Sequence, residues 1–286
     1  MRLGHGGAAV AIYFPRTVFL LSCTTPRVTK PESDDRGATT PPSELPQGWC
    51  DVVGRGRMGE ALVSALDAAG VAVRGPFGRG ADGDEAALVL LCVPDREIAS
   101  ASAAVVRGPL VGHVSASASL DLLAPHERFA LHPLMSVLGA GTPFAGATCA
   151  IDGSTPRALS TARALAERLE MRPRIVAESD RALYHAAASA ASNFLVTLEG
   201  MAEQLASRVG IDRAALVPLV RATVDNWAAE GARGALTGPI ARGDEQTAER
   251  QRAAVATAAP ELLALWDALA AATRTLAAEP DPGARP

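Results

Sequence analysis

Few residues in this chain combine type and spacing into plausible chemistry. His185, Ser189 and Asn193 stand four apart within one helix-compatible run, so they drift only about 80° around a helix and share a face. Such a face supplies an imidazole that can donate a proton, an amide that can hold a reacting oxygen or nitrogen, and a hydroxyl that can orient either. The bland alternative is a helix packed by its alanines, with His185 and Asn193 satisfying backbone groups. His132, just before Pro133, and Ser115, after the apolar run Leu110-Val111-Gly112-His113-Val114, are the other candidates for contact with a substrate. His113, inside that run, reads as structural. Thr237, Arg242 and Asp244 lie among glycines and a proline between helices. There Arg242 could clamp a carboxylate, or Asp244 could cap the next helix while pairing with Arg242.

A second group of residues points to an anion. Gly54-Arg55-Gly56-Arg57-Met58-Gly59 follows the short apolar run Trp49-Cys50-Asp51-Val52-Val53 and opens a helical run over 59–69 closed by Gly70. Gly54 permits the tight turn, Gly56 lets backbone approach a pyrophosphate, and Gly59 lets helix pack on strand, while the helix N-terminus favours negative charge. G-x-G-x-x-G alone is weak; between a strand and a helix it predicts dinucleotide binding, with Arg57 and Met58 in the first turn. An NAD site wants an acid about 20 residues on. The chain instead reads Val73-Arg74-Gly75-Pro76-Phe77-Gly78-Arg79, offering Arg74 and Arg79 to a 2′-phosphate, so NADP is the expected cofactor. Arg55 could also reach phosphate, or be plain surface. Val93 and Pro94, ending another apolar run, are expected along the adenosine or ribose.

The elements that must position these groups alternate. Val71–Val73, 87–93 and 110–114 read as strands after the first, with helix-compatible segments before the third and fourth, and 129–131, 148–151 and 174–176 extend the sheet. Continuous apolar strands belong to a sheet covered on both faces. Beyond 179 the strand pattern stops, and helices are expected over 180–209, 213–230, 244–258 and 261–278, punctuated by Gly210, Asp212 and Pro260. The expected fold is therefore α/β: a doubly wound Rossmann domain over 48–178 and a smaller all-helical domain over 179–286. Residues 1–47, rich in Pro, Ser, Thr and charge after a broken apolar stretch, are expected to be a disordered extension or to follow a start placed too early.

Composition narrows the classes. The chain has 286 residues, a net charge of -4 and 48% hydrophobic residues, with Lys30 its only lysine. No basic stripe marks a nucleic-acid partner, and no apolar run reaches the length that spans a bilayer. The 4 cysteines are far apart, so reduced thiols in a cytoplasmic protein are expected and no metal site is. Paired carboxylates, a Walker turn or an ordered Ser-His-Asp set do not stand out.

Several segments together resemble a family in which a Rossmann-like domain is joined to a helical domain of unknown function, the deazaflavin- or NADP-dependent oxidoreductase type. They are residues 54–59, Leu91-Cys92-Val93-Pro94-Asp95, His113-Val114-Ser115, His132-Pro133-Leu134, Tyr184-His185-Ala186-Ala187-Ala188 with Ser192-Asn193, and 236–244. More distantly the chain is similar to ketopantoate reductases, pyrroline-carboxylate reductases, prephenate dehydrogenases and 6-phosphogluconate dehydrogenases. The resemblance implies hydride transfer with a small carbonyl or imine compound of keto-acid type, and a homodimer formed through the helical domains, with the last helices and Trp266 suited to pairing. It also implies a His132 beside the substrate, as in the His-Pro of prephenate dehydrogenases. Two departures matter: His185 stands where the broader group often has lysine, and Arg250 where the close family commonly has histidine. A non-catalytic NADP(H) sensor and a deazaflavin-binding protein stay open as other readings.

Overall fold

The computed structural model describes residues 45–279; of the extension expected over 1–47, residues 1–44, with Cys23, lie outside the described residues. Seven strands form one sheet in the order β2-β1-β3-β4-β5-β6-β7. They are β1 Trp49–Val53, β2 Val73–Phe77, β3 Ala86–Leu91, β4 Leu110–His113, β5 Arg128–Pro133, β6 Thr148–Gly153 and β7 Arg172–Ile175. The first five run parallel; β6 turns antiparallel to β5, and β7 follows β6. The order reverses at β1, with β2 on one side and β3 on the other, which opens a crevice at the strands' carboxyl ends.

Helices cover both faces because successive strand residues alternate sides. Val52, Leu88, Leu90, Leu110, Phe129 and Leu131 pack under α1 (Arg57–Ala68) and α3 (Pro156–Arg168), joined by Leu62, Leu66, Ala162 and Leu165. Val53, Val89, Leu91, Val111 and Ala130 face the other way, against Ile98 of α2 (Ile98–Ala104) and Leu120 and Leu123 of a short 3-10 turn. Gly112 keeps the layer under α1 and α3 closed, since the Phe129 ring occupies the space where its side chain would be. Thr155 caps α3 by accepting from the Ala158 amide, with Pro156 in the first turn.

β2 departs from the expected 71–73. Proline is disfavoured inside a sheet, yet β2 lies at the sheet edge, where a missing N–H breaks no ladder, and the strand runs through Gly75-Pro76 to Phe77. The shift decides which arginine meets the cofactor turn.

After β7 the chain is helical: α4 Arg181–Ser189, a π-helical segment Ala190–Phe194, α5 Leu195–Ser207, α6 Arg213–Ala235, α7 Glu245–Ala258 and α8 Leu263–Ala278. The run expected as one continuous helix over 180–209 thus carries a widened turn in its middle. Ser192 donates to the Ala188 carbonyl at 3.0 Å beside it, the kind of side-chain back-bonding that loosens a helical ladder. Asp212 caps α6 through the Ala215 amide. The α6 helix, kinked at Gly231, has no buried residue, and Leu219, Val224 and Trp227 along it are exposed. Among the described residues no helix is long and apolar enough to cross a membrane. Cys50, Cys92 and Cys149 are free thiols, and burial pushes Cys50 and Cys149 up to about 12.

Candidate active site

The glycine turn forms where β1, β2 and β3 end together. The Gly54 amide donates to the Phe77 carbonyl at 2.9 Å and the Cys92 amide to the Val53 carbonyl at 2.7 Å. Gly54 holds φ +126, and a side chain there would run into the Cys92 carbonyl. Gly59 rests directly on the Gly54 carbonyl, so α1 is seated on the turn. Gly56 is the helix N-cap; it provides no side-chain cap, and nothing lies within 4 Å of where its Cβ would be. The N-terminus of α1 therefore has no side-chain cap and open space beside Gly56, which suits an anion.

That space is a cavity of 340 Å³. Of the expected cofactor residues, Gly54, Gly56, Arg79, Val93 and Pro94 line it. Gly59 is buried behind the turn, Arg57 is exposed at the helix start, and Met58 packs toward the core. No acid follows β2: Phe77, Gly78 and Arg79 form that wall. Arg79 is held by Glu97 at 3.0 Å while remaining 85% exposed, so its guanidinium is free to turn to a stronger anion. Arg55, left undecided by its spacing alone, lines the cavity with its guanidinium across Gly78.

Arg74 is not brought there. With β2 extending to Phe77, Arg74 sits in register with Asp51, well before the strand's carboxyl end. It donates to both Asp51 oxygens at 2.7 and 2.8 Å and to the Asp84 carbonyl at 2.9 Å, and lies 5.5 Å over the Trp49 ring. The Asp51 hydrogen bonds, ahead of the charge itself, hold the Arg74 guanidinium more firmly protonated than usual. The expected 2′-phosphate ligand is thus a bolt between β1 and the edge strand.

The second hollow lies farther along the same edge. Arg181, only 4% exposed, fixes the start of α4 by donating to the Ala118 carbonyl at 2.6 Å and to Asp152 at 2.8 Å. One turn later Tyr184 meets His132 at the end of β5: its hydroxyl and the His132 Nδ1 are 2.8 Å apart, with the rings edge-on at 5.5 Å and 89°. Burial pushes His132 down to about 4, helped by His185 and opposed by Asp95, so the ring is neutral at neutral pH. Burial, then Cys149, pushes the Tyr184 hydroxyl up to about 12. His132, Tyr184, His185, Ser189 and Asn193 line one cleft of 470 Å³, with Leu134 and Met135 as apolar wall. His185 and Asn193 are exposed on its rim.

Ser115 borders a smaller hollow, shared with His132 and Arg181. Its hydroxyl donates to Asp95 at 2.8 Å and accepts from the Ala118 amide at 3.0 Å, which makes it the organiser of the loop after β4. Asp95, which also accepts from Ser117 at 3.2 Å, was not singled out by sequence reasoning, although it directly follows Val93-Pro94. His113 is fully buried; its Nδ1 accepts from the Ser115 amide at 3.2 Å, and burial, then Arg181, pushes it down to about 4. Asp244 caps α7 through the Thr247 amide, and Arg242 is not among the residues lining the cleft.

Residues 147–273 match a family model described as a domain of unknown function, DUF2520. No curated protein matches the sequence. Among solved structures, an NADP oxidoreductase-type protein of Bacteroides fragilis superposes with a TM-score of 0.69 at 19% identity, over 80% of this chain and 98% of that one. A Thermotoga maritima protein gives 0.65 at 22%, with the same shares of 80% and 98%. A reductive aminase of Aspergillus terreus, solved with NADPH and ethyl levulinate, gives 0.56 at 15%, over 80% and 94%. At these identities the likeness is one of fold, a Rossmann-like domain followed by helices.

Proposed function

From a chain that carries a DUF2520 segment over residues 147–273 on a Rossmann-like oxidoreductase fold, we propose an NADP-dependent oxidoreductase that moves hydride to or from a small carbonyl or imine compound. What supports this reading is a single juxtaposition. An uncapped glycine turn flanked by Arg55 and Arg79 and a cleft built on His132 and Tyr184 open at one carboxyl edge of one sheet. The residues present fit the dinucleotide. The α1 amides and Gly56 would receive the pyrophosphate, Arg55 and Arg79 a 2′-phosphate, and Val93 and Pro94 the ribose side. When bound, NADPH supplies the hydride. The protein's part is then to hold the acceptor against it and to manage one proton, and His132, Tyr184, His185 and Asn193 are the groups placed for that. A pyrroline-carboxylate reductase with NADP bound and an imine reductase share the fold, with TM-scores of 0.54 and 0.55, which favours this reaction class over others the sheet could host. We propose the cytoplasm as its compartment, on the free thiols.

Titration of the purified protein with NADPH and, separately, NADH, followed by nicotinamide fluorescence, tests the reading. Tight, selective NADPH binding is expected. The Arg55→Ala/Arg79→Ala variant should weaken NADPH about 10- to 100-fold, as losing charge-assisted phosphate bonds does, and leave NADH nearly unchanged. Absence of binding to either nucleotide would overturn it.

A further inference from the structure

The two hollows leave a question that the reaction class does not answer: which group gives the proton, and to what kind of acceptor. Spacing singled out His185, but His185 is exposed on the rim, while Tyr184 and His132 meet inside the cleft at 2.8 Å. We propose that Tyr184, held by His132, is the proton donor of the cleft, and that the acceptor is an uncharged aldehyde or ketone. This rests on the oxidoreductase reading above.

The cleft's own residues carry the inference. Its polar lining is His132, Tyr184, His185, Ser189, Ser192 and Asn193, with neither an arginine nor a carboxylate among the lining residues. A keto acid placed there finds no guanidinium. Arg181, in the adjoining small hollow, is buried and committed to Asp152 and the Ala118 carbonyl. An iminium finds no carboxylate among the lining residues either: Asp152 is taken by Arg181, and Asp95, whose charge acts on His132, already accepts from Ser115 and Ser117. Hydroxyl and amide donors beside the apolar Leu134 and Met135 instead match an oxygen that becomes negative only during reaction.

The proton accounting closes. As hydride from reduced nicotinamide arrives at the carbonyl carbon, the C–O π pair withdraws onto oxygen. That oxygen takes the proton from Tyr184 Oη, breaking the phenolic O–H and forming the alcohol O–H. The phenolate left behind accepts from His132 Nδ1–H, the neutral tautomer this step requires, and regains a proton from solvent through the open rim. His132 is a positioning residue: it never changes charge. The raised Tyr184 hydroxyl keeps its proton through the neutral range, so the donor is loaded at every physiological pH.

The test uses the full chain. Uncharged aldehydes and ketones should be reduced with kcat/KM at least about tenfold above their matched 2-keto acids and cyclic imines, the difference of a charge left unpaired. Tyr184→Phe should lower kcat about 100- to 10,000-fold, the usual range for a lost general acid, with KM and NADPH affinity unchanged. A readout independent of turnover is 15N NMR of the histidines, with His132 assigned through His132→Gln. A neutral ring protonated on Nδ1 at pH 7 is expected, shifting in Tyr184→Phe. NADPH-binding protein that prefers keto acids or imines, that keeps its kcat in Tyr184→Phe, or whose His132 carries its proton on Nε2 overturns this inference and leaves the cofactor reading standing. Protein that binds no nucleotide removes both. Should Tyr184→Phe not fold, the substrate comparison and the NMR on wild-type protein decide it.

Discussion

Replacing Arg74 with alanine strips the Asp51 carboxylate of both its guanidinium bonds while leaving it in the sheet, with a side chain only 5% exposed. Breaking a buried ion pair from one side costs about 3–5 kcal/mol, because the remaining charge stays desolvated and unpaired. Arg74 itself is 28% exposed, so water can follow it into the gap, and a loss of about 2–3 kcal/mol is the reasoned expectation. Part of that is the bond to the Asp84 carbonyl and the contact with Trp49, which tie the edge strand to β1 and to the turn before β3. In a chain of this size each kcal/mol moves Tm by about 2–4 °C, so Arg74→Ala should melt roughly 4–12 °C lower. Asp51→Asn with Arg74→Met, which removes both charges and keeps the bulk, should recover about 1–2 kcal/mol relative to the sum of the single changes. Urea and thermal unfolding at pH 7 measure the stability, and an NADPH titration of the folded variant measures the site. NADPH affinity within about threefold of wild type is expected, since Arg74 does not line the nucleotide cavity. A variant of wild-type stability that has lost tenfold or more in NADPH affinity would refute the placement and restore Arg74 to the phosphate.

Two further outcomes follow from the same geometry. His113, fully buried and pushed down to about 4 from an ordinary 6.5, binds its proton more readily in the unfolded chain, so stability falls as pH drops from 6.5 toward 4, by about 3 kcal/mol at most by linkage. Urea unfolding at pH 7 and 4.5 should show this loss, and His113→Gln should remove that share of it; an unchanged pH slope in the variant contradicts the assignment. The exposed Leu219, Val224 and Trp227 on a helix with no buried residue are expected to be covered by a second copy of the chain, because a solitary helix of this kind gains little from its own propensity. Sedimentation should then give a dimer that Leu219→Glu/Trp227→Glu converts to monomer, and a wild-type monomer at micromolar concentration would sink that expectation.

Much of the fold is written locally. β1 occupies the residues its apolar run marked, and α7 and α8 begin near Asp244 and Pro260, where caps and breakers stand. What fails is whatever depends on a neighbour. β2 runs past Gly75-Pro76 because an edge position forgives a proline, and no window of sequence announces which strand will be an edge. The antiparallel β6 is likewise invisible, since an apolar strand carries no sign of its direction; only the lack of a crossover helix between β5 and β6 permits it.

The candidate site divides along the same line. The glycine turn is legible because each glycine answers a constraint within a few residues of itself, and Gly54 and Gly59 meet those constraints against Cys92 and each other. The arginines are not. Arg55, Arg74 and Arg79 look alike in a chain where arginine carries nearly all the positive charge, and only the true end of β2 separates the one that pairs with Asp51 from the two that face the nucleotide cavity. Tyr184 stands beside His185 in the sequence, and no local spacing marks it, because its partner is 52 residues away. That partnership depends in turn on Arg181, whose hold on Asp152 and the Ala118 carbonyl fixes where α4 begins and so which residue one turn later faces β5. A helix anchored one residue later would have turned His185 toward His132 by about 100°, and the imidazole that spacing favours would then sit where the phenol is. Which side chain meets His132 is thus set by a buried arginine at the start of the helix.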